Sequence, residues 1–289
     1  LSTTQPPLRE GVGYRNRVPD GHYHLKIKET EPILRFVGDI YILELYAATI
    51  VSILNLNLLV LRRYNCMNYI DRSVPSSQPS VLSTNKVIRN TYILLSMTLM
   101  FSALTAGVAV VLNMPPMGLL ITLVGYFGLL FLTTKTRDSV WGLVSVFALT
   151  GFMGLTLGPI INAYLGLPNG DQIVMMAMGG TGIIFLGLSG YALTTRKDFS
   201  FMGGFLMVGI LVAFLAGLAS VFFTMPGLSL AVSAMFVLLM SGLILYQTSQ
   251  IIHGGETNYI MATVTLFVSI YNLFLSLLQL LGAFGGGNE

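Results

Sequence analysis

From residue 91 to residue 282 the chain alternates between long apolar runs and short breaks built from proline, glycine, asparagine or charge. A helix rising about 1.5 Å per residue needs about 20 apolar residues to cross a hydrocarbon core of about 30 Å. Runs of that length lie at 91–112, 118–134, 140–163, 172–194, 201–223, 228–252 and 259–282. They predict an all-α polytopic membrane protein with seven transmembrane helices. A transmembrane barrel would instead show short segments of alternating character. Asn113-Met-Pro-Pro-Met-Gly118, Gly166-Leu-Pro-Asn-Gly170 and Thr224-Met-Pro-Gly227 separate successive runs. There proline removes a backbone donor and glycine admits turn dihedrals.

Composition narrows the class. Of the 289 residues 54% are apolar and only 9% charged, with a mean hydropathy of +0.77. An average soluble domain carries about 25% charged residues, and a disordered chain needs low hydrophobicity, so both classes are excluded. The single cysteine, Cys66, excludes a disulfide scaffold and a cysteine-based metal cluster, and no pattern for a cofactor is present. The net charge of +3 matters here for orientation. Arg72, Lys86 and Arg89 precede the first run, Lys135 and Arg137 follow the second, and Arg196 and Lys197 follow the fourth. The turns on the other side contain no Lys or Arg. For residues 67–289 the positive-inside rule makes these residues cytoplasmic anchors, with the start of that part inside and, after seven spans, the C-terminus outside; an added helix at 40–61 would leave this unchanged and put residues 1–39 outside. The expected organisation is a cytoplasmic tail over 67–90, a membrane domain over 91–283 and an external tail over 284–289.

Residues 1–66 are of another kind. They hold 14 of the 27 Asp, Glu, Lys and Arg residues and no methionine, the first being Met67, although the chain contains 15. One reading takes 1–66 as a non-native upstream extension, to be set aside in fold reasoning. The other takes Ile40–Leu61 as an additional membrane helix, since its length and hydropathy license a span. It carries Glu44, Asn55 and Asn57.

No Asp, Glu, Lys or Arg falls inside the seven runs, which argues against a proton pump or antiporter. Uncharged polar residues gather late: Tyr246, Gln247, Thr248, Ser249 and Gln250, then Ser269 and Asn272. Gln247 and Gln250, like Ser269 and Asn272, are spaced to share a helix face. Two polar faces on adjacent helices are expected to meet, either as interhelical hydrogen bonding, worth about 0.6 kcal/mol each, or as a polar path or ligand site. Gly154 and Gly158 form a small-xxx-small pair followed by Pro159 and Asn162, expected to give close helix packing with a kink. Leu132-Thr-Thr-Lys-Thr-Arg-Asp138 echoes Leu193-Thr-Thr-Arg-Lys-Asp198, a match short enough to follow from the few residue types that build turns. Gly187-Leu-Ser-Gly190 matches the string of intramembrane serine proteases, with His253 two spans later. A Ser–His pair needs hydrogen-bond reach, and His253 reads as an interfacial residue ahead of a Gly254-Gly255 cap.

Several stretches together resemble the Bax inhibitor-1 family: Ser83-Thr-Asn-Lys-Val-Ile-Arg-Asn-Thr-Tyr92, Leu149-Thr-Gly-Phe-Met-Gly154 with Leu157-Gly-Pro-Ile-Ile-Asn162, Leu193-Thr-Thr-Arg-Lys-Asp198, and Ile251-Ile-His-Gly-Gly-Glu-Thr-Asn-Tyr-Ile260. The resemblance runs from about Met67 to Gly282. It implies a seven-helix bundle with the last helix enclosed by the others. For bacterial members it implies an inner-membrane location and a role as substrate and modulator of the membrane-bound AAA protease FtsH, which works with HflK and HflC. The tail, beginning Asn68, Tyr69, Ile70, Asp71, Arg72 and Ser73, would then be the segment that the protease grips. Other members resemble pH-gated calcium leak channels with two acids on the last two helices. Those positions fall on Gln247 and Ser269, so the acid pair is missing and that mechanism does not carry over. The expectation is a non-enzymatic modulator of proteolysis, the alternative being a passive ion leak past a polar region of Tyr246, Gln247, Gln250, Ser269, Asn272 and Asn162.

Overall fold

The computed structural model describes residues 81–223 and 226–285. The extension 1–66, its apolar stretch 40–61 and the tail residues 68–73 lie outside these described residues. Among the described residues seven helices follow in order: α1 (Val81–Val111), α2 (Leu119–Thr136), α3 (Val140–Leu165), α4 (Gly170–Thr195), α5 (Met202–Phe222), α6 (Pro226–Ile252) and α7 (Tyr259–Gly285). Six are long and apolar enough to cross a membrane, and α2 contributes a shorter apolar stretch, Leu120–Thr136. Its 18 residues reach about 27 Å, just short of the hydrocarbon thickness.

The helix boundaries follow the apolar runs except at two places. α1 begins at Val81, ten residues ahead of the expected start, so the end of the expected tail is helical. Nothing after Pro79 breaks a helix there, and Lys and Arg are good helix formers. Lys86 and Arg89 are exposed on these first turns. At the other extreme α7 runs on to Gly285, into the expected external tail.

α7 is the centre of the bundle. Every residue from 260 to 270 is buried, and the helix packs against α1, α3, α4 and α6. α2 stands outside against α3, and α5 outside against α6. The enclosure that the resemblance implies is therefore carried chiefly by four helices. The lipid-facing residues are apolar: Leu104, Val124, Ile183, Phe205 and Leu238 are all well exposed. In water such a surface would drive association; in a bilayer it is the solvated face.

Glycine brings α1 and α3 together. A β-carbon on Gly154 would run into the Ser102 carbonyl oxygen and the Thr105 hydroxyl, and one on Gly158 into the β-carbon of Ala109. One on Gly151 would lie 2.6 Å from the Phe101 ring. The expected small-residue packing is thus present and extends one turn further. Pro159 sits inside α3 without ending it. At one end of the bundle Asn258 of the turn 253–258 is bonded to the turn 137–139, and Ser249 and Gln250 at the end of α6 to the loop 196–201. At the other lie 112–118, 166–169 and the end of α7. Asn113 and Asn169 hold left-handed dihedrals at that second end, which asparagine tolerates better than most residues.

Candidate functional site

The polar residues of α6 and α7 are drawn inside. Gln247, Thr248 and Ser249 on α6, and Thr263, Thr265, Ser269, Asn272 and Ser276 on α7, are all buried. Most of the α7 side chains satisfy themselves on their own helix. Thr265 donates to the Met261 carbonyl (3.1 Å), Ser269 to Thr265 (2.8 Å) and Asn272 Nδ2 to Val268 (2.9 Å). Such back-bonding is the cheapest way to bury a hydroxyl or amide in an apolar medium. Gln247 differs. It is fully buried, and among the described residues neither its Nε2 nor its Oε1 has a hydrogen-bond partner.

The expected polar face divides in the structure. Gln247, Ser269 and Asn272 stay in the interior, but no hydrogen bond joins Gln247 to either of the others. Tyr246 is turned toward α5, where a β-carbon on Gly203 would lie 3.1 Å from its ring. Gln250 reaches the α4–α5 loop, its Nε2 donating to Ser200 Oγ at 2.9 Å. Asn162 lies at the far end of the bundle and donates from Nδ2 to the Val110 carbonyl (3.2 Å) and Asn113 Oδ1 (3.5 Å), closing the C-terminus of α1. Sequence spacing alone groups these residues. Helix rotation separates them, because neighbouring positions point about 100° apart and residues near a helix end reach loops rather than partners across the seam.

Other residues tie the core together. Tyr92 on α1 shares a hydrogen bond with Thr248 on α6 (3.2 Å) and meets the Phe185 ring of α4. Thr263 on α7 donates to the Thr91 carbonyl (3.3 Å), and Thr156 on α3 pairs with the Tyr271 hydroxyl (3.3 Å). Toward the other end Gln279 on α7 is bracketed by two α6 serines, donating to Ser229 Oγ (2.7 Å) and accepting from Ser233. These hydroxyls are scattered singly through apolar runs, and periodicity gives no reason to choose them. The pair Thr91-Tyr92 does fall within one of the family-like stretches.

The His-Gly-Gly-Glu-Thr-Asn-Tyr-Ile string forms a latch between loops. Its glycines close α6: Gly255 N–H donates to the Gln250 carbonyl (2.8 Å), and Gly254 takes a φ of 74°, a dihedral glycine adopts without steric cost. His253 Nδ1 donates to the Ser249 carbonyl (2.9 Å). Ser249 Oγ in turn accepts from Phe199 N–H (3.0 Å) in the α4–α5 loop. Glu256 accepts from Asn258 N–H (2.8 Å). Asn258 then caps α7, its Oδ1 accepting from the N–H groups of Ile260 (3.0 Å) and Met261 (3.2 Å). The Asn258 Nδ2 donates to the Arg137 carbonyl (3.2 Å) and to Asp138 Oδ1 (2.9 Å) in the α2–α3 turn. In the α4–α5 loop the Asp198 carboxyl is held below its ordinary range, first by the Ser200 side chain, then by the Ser200 N–H, with a smaller contribution from His253.

The serine-protease string does not assemble. Ser189 is buried and its Oγ has no hydrogen-bond partner among the described residues, while His253 turns its Nδ1 to Ser249. Nucleophilic activation requires those two groups to meet.

Uniformly apolar helices around a polar-cored central helix, with Lys86, Arg89, Lys135, Arg137, Arg196 and Lys197 all at one end, define a polytopic helical membrane protein. The family model described as Inhibitor of apoptosis-promoting Bax1 matches residues 84–286. The chain belongs to this family. It is 56% identical over 215 residues to the Escherichia coli K12 protein named Modulator of FtsH protease YccA, a match covering 74% of this chain and 98% of that one. An uncharacterised protein of Pseudomonas aeruginosa is 59% identical over 200 residues, covering 69% of this chain and 90% of its own. An uncharacterised membrane protein of Vibrio cholerae is 45% identical over 208 residues, covering 72% and 93%.

Proposed function

We propose that the protein is an inner-membrane modulator of an FtsH-type protease, acting as a slowly processed substrate that competes with others. The observation that carries this reading is the 56% identity over nearly the whole length of the relative named for that activity. In this reading the protein works through contact and not through chemistry of its own, and HflK and HflC are further partners. For residues 67–289, the segment ahead of α1 and the basic end of the bundle are cytoplasmic, and the C-terminus is periplasmic.

The entry point for the protease is the segment ahead of α1, about residues 68–80. A processive protease needs an end or a loose segment. The loops on the basic end do not offer one, because Asn258, Ser249 and Gln250 bind them together. The test is co-purification with FtsH from native membranes, paired with the half-life of a second FtsH substrate when this protein is overproduced. Association and a lengthened half-life are expected. Removing 68–80 should slow turnover of the protein itself while leaving the bundle folded. An unchanged half-life after that removal would reject the tail as the entry point, and absence of association would reject the modulator reading.

A further inference from the structure

We propose that the cavity between the α2–α3 turn and the start of α7 binds the phosphate of an anionic phospholipid. The cavity has a volume of about 400 Å3, within the roughly 300–1,000 Å3 of sites that hold small ligands. Its wall carries one cationic side chain, Arg137, with the hydroxyl-bearing Ser139, Thr257 and Tyr259 and the apolar Val140 and Leu143. A phosphodiester asks for this mixture: a guanidinium fork, neutral donors, and an apolar side for the attached chains.

Arg137 is available for the task. Its Nε stands 3.5 Å from Asp138 Oδ2, a loose pairing of neighbours in sequence. Among the described residues its terminal nitrogens have no partner. Asp138 also lines the cavity; its Oδ1 accepts from Asn258 Nδ2 at 2.9 Å and its Oδ2 faces only the Nε of Arg137, so the terminal nitrogens of Arg137 are the ones left to a ligand. The N-termini of α3 and α7 open on the same cavity, and each adds about half a positive charge. The latch residue Asn258 fixes the two walls against each other, so the site is built before a ligand arrives.

Position selects lipid over a soluble anion. Val140 is 80% exposed and Trp141 71% exposed on the outer face of α3, directly after the cavity residue Ser139. Trp141 is the chain's only tryptophan, and this side chain favours the boundary between headgroups and acyl chains. Val144, one turn further, is also exposed to lipid. A phosphate seated on Arg137 would therefore have its acyl chains running down an apolar helix face. Basic pockets between helices at the membrane surface bind such headgroups.

The test uses the full chain purified in detergent and stripped of lipid. Phosphatidylglycerol, phosphatidylcholine and inorganic phosphate are added separately, and retained lipid is read by native mass spectrometry beside the thermal midpoint. Phosphatidylglycerol should be retained and raise the midpoint, with phosphatidylcholine and inorganic phosphate having little effect. Arg137→Gln should weaken phosphatidylglycerol binding roughly tenfold, the loss of a charge-assisted pair. Lys135→Gln, the same charge change outside the cavity, should not. Leu143→Trp fills the cavity without altering charge and should also abolish retention, which keeps the test decisive if Arg137→Gln misfolds. Equal losses for Arg137→Gln and Lys135→Gln would show diffuse surface attraction and overturn the site. An equal shift with inorganic phosphate would reassign it to a free anion and overturn the lipid.

Discussion

A glutamine amide buried with both polar atoms unpaired costs about 1–3 kcal/mol, and Gln247 stands in that position at the heart of the bundle. Gln247→Leu keeps the shape and removes the cost. The expected outcome is a thermal midpoint in detergent above that of the unmodified protein, by an amount corresponding to about 1–3 kcal/mol. A lowered midpoint would mean that the amide is satisfied by something that the fold retains. Gln247 and Ser269 also carry no titratable group. Calcium entry into liposomes bearing the protein is accordingly expected to be small and flat between about pH 6 and 8, the interval in which histidines and perturbed acids titrate. Restoring carboxylates with Gln247→Asp and Ser269→Asp should introduce a pH-dependent flux. A strong pH-gated flux in the unmodified protein would place an ion path on other residues.

At the scale of elements, glycine makes the α1–α3 seam and asparagine makes the latch. Gly154→Leu would drive a side chain into the Ser102 backbone and the Thr105 hydroxyl. Overpacking against backbone costs about 1–3 kcal/mol or more, so this variant should show a lowered midpoint and poor yield, while Gly128→Leu, where a β-carbon meets open space, should behave like the parent. Asn258→Ala removes the cap of α7, worth about 1 kcal/mol, and both bonds to the α2–α3 turn. Faster hydrogen exchange over residues 137–142 and 259–262 is the expected signature. Much of this layer was legible beforehand. Spans two to six, and the start of span seven, follow their apolar runs, because in lipid a helix must satisfy every backbone group internally and apolar length reports it. The start of α1 was not legible, because hydropathy marks where lipid begins while propensity decides where a helix begins. Nor was the division of Tyr246, Gln247 and Gln250, since side-chain direction depends on how α6 is rotated against α5 and α7. The His-Gly-Gly-Glu-Thr-Asn-Tyr-Ile string pointed to the family, but the tie its Asn258 makes needs Arg137 and Asp138, 121 and 120 residues away in sequence, and the ties made just ahead of it by Ser249 and Gln250 need Phe199 and Ser200, each 50 residues away.

For the whole molecule the first expectation is topological. Reporter fusions at Lys135, Arg196 and His253 should read as cytoplasmic, and fusions at Pro116, Asn169 and Glu289 as external; a cytoplasmic C-terminus would require an even number of spans. Deleting 1–66 should leave insertion and protease association intact, as checked by membrane fractionation and co-purification.

The central place of α7 also has a mechanical meaning. On the entry point proposed above, a motor that draws the chain in from ahead of Val81 must dislodge α1 first, and α1 is not a loose outer helix. It is interlocked with α3 through Gly151, Gly154 and Gly158, pinned at its far end by Asn162, and bonded to α6 and α7 through Tyr92 and the Thr91 carbonyl. Force applied there loads four helices together instead of peeling them one by one. The first power strokes would therefore meet the greatest resistance, and everything after them would come more easily. A chain built this way delays its puller at the very start, so the enzyme is held while most of the protein is still intact.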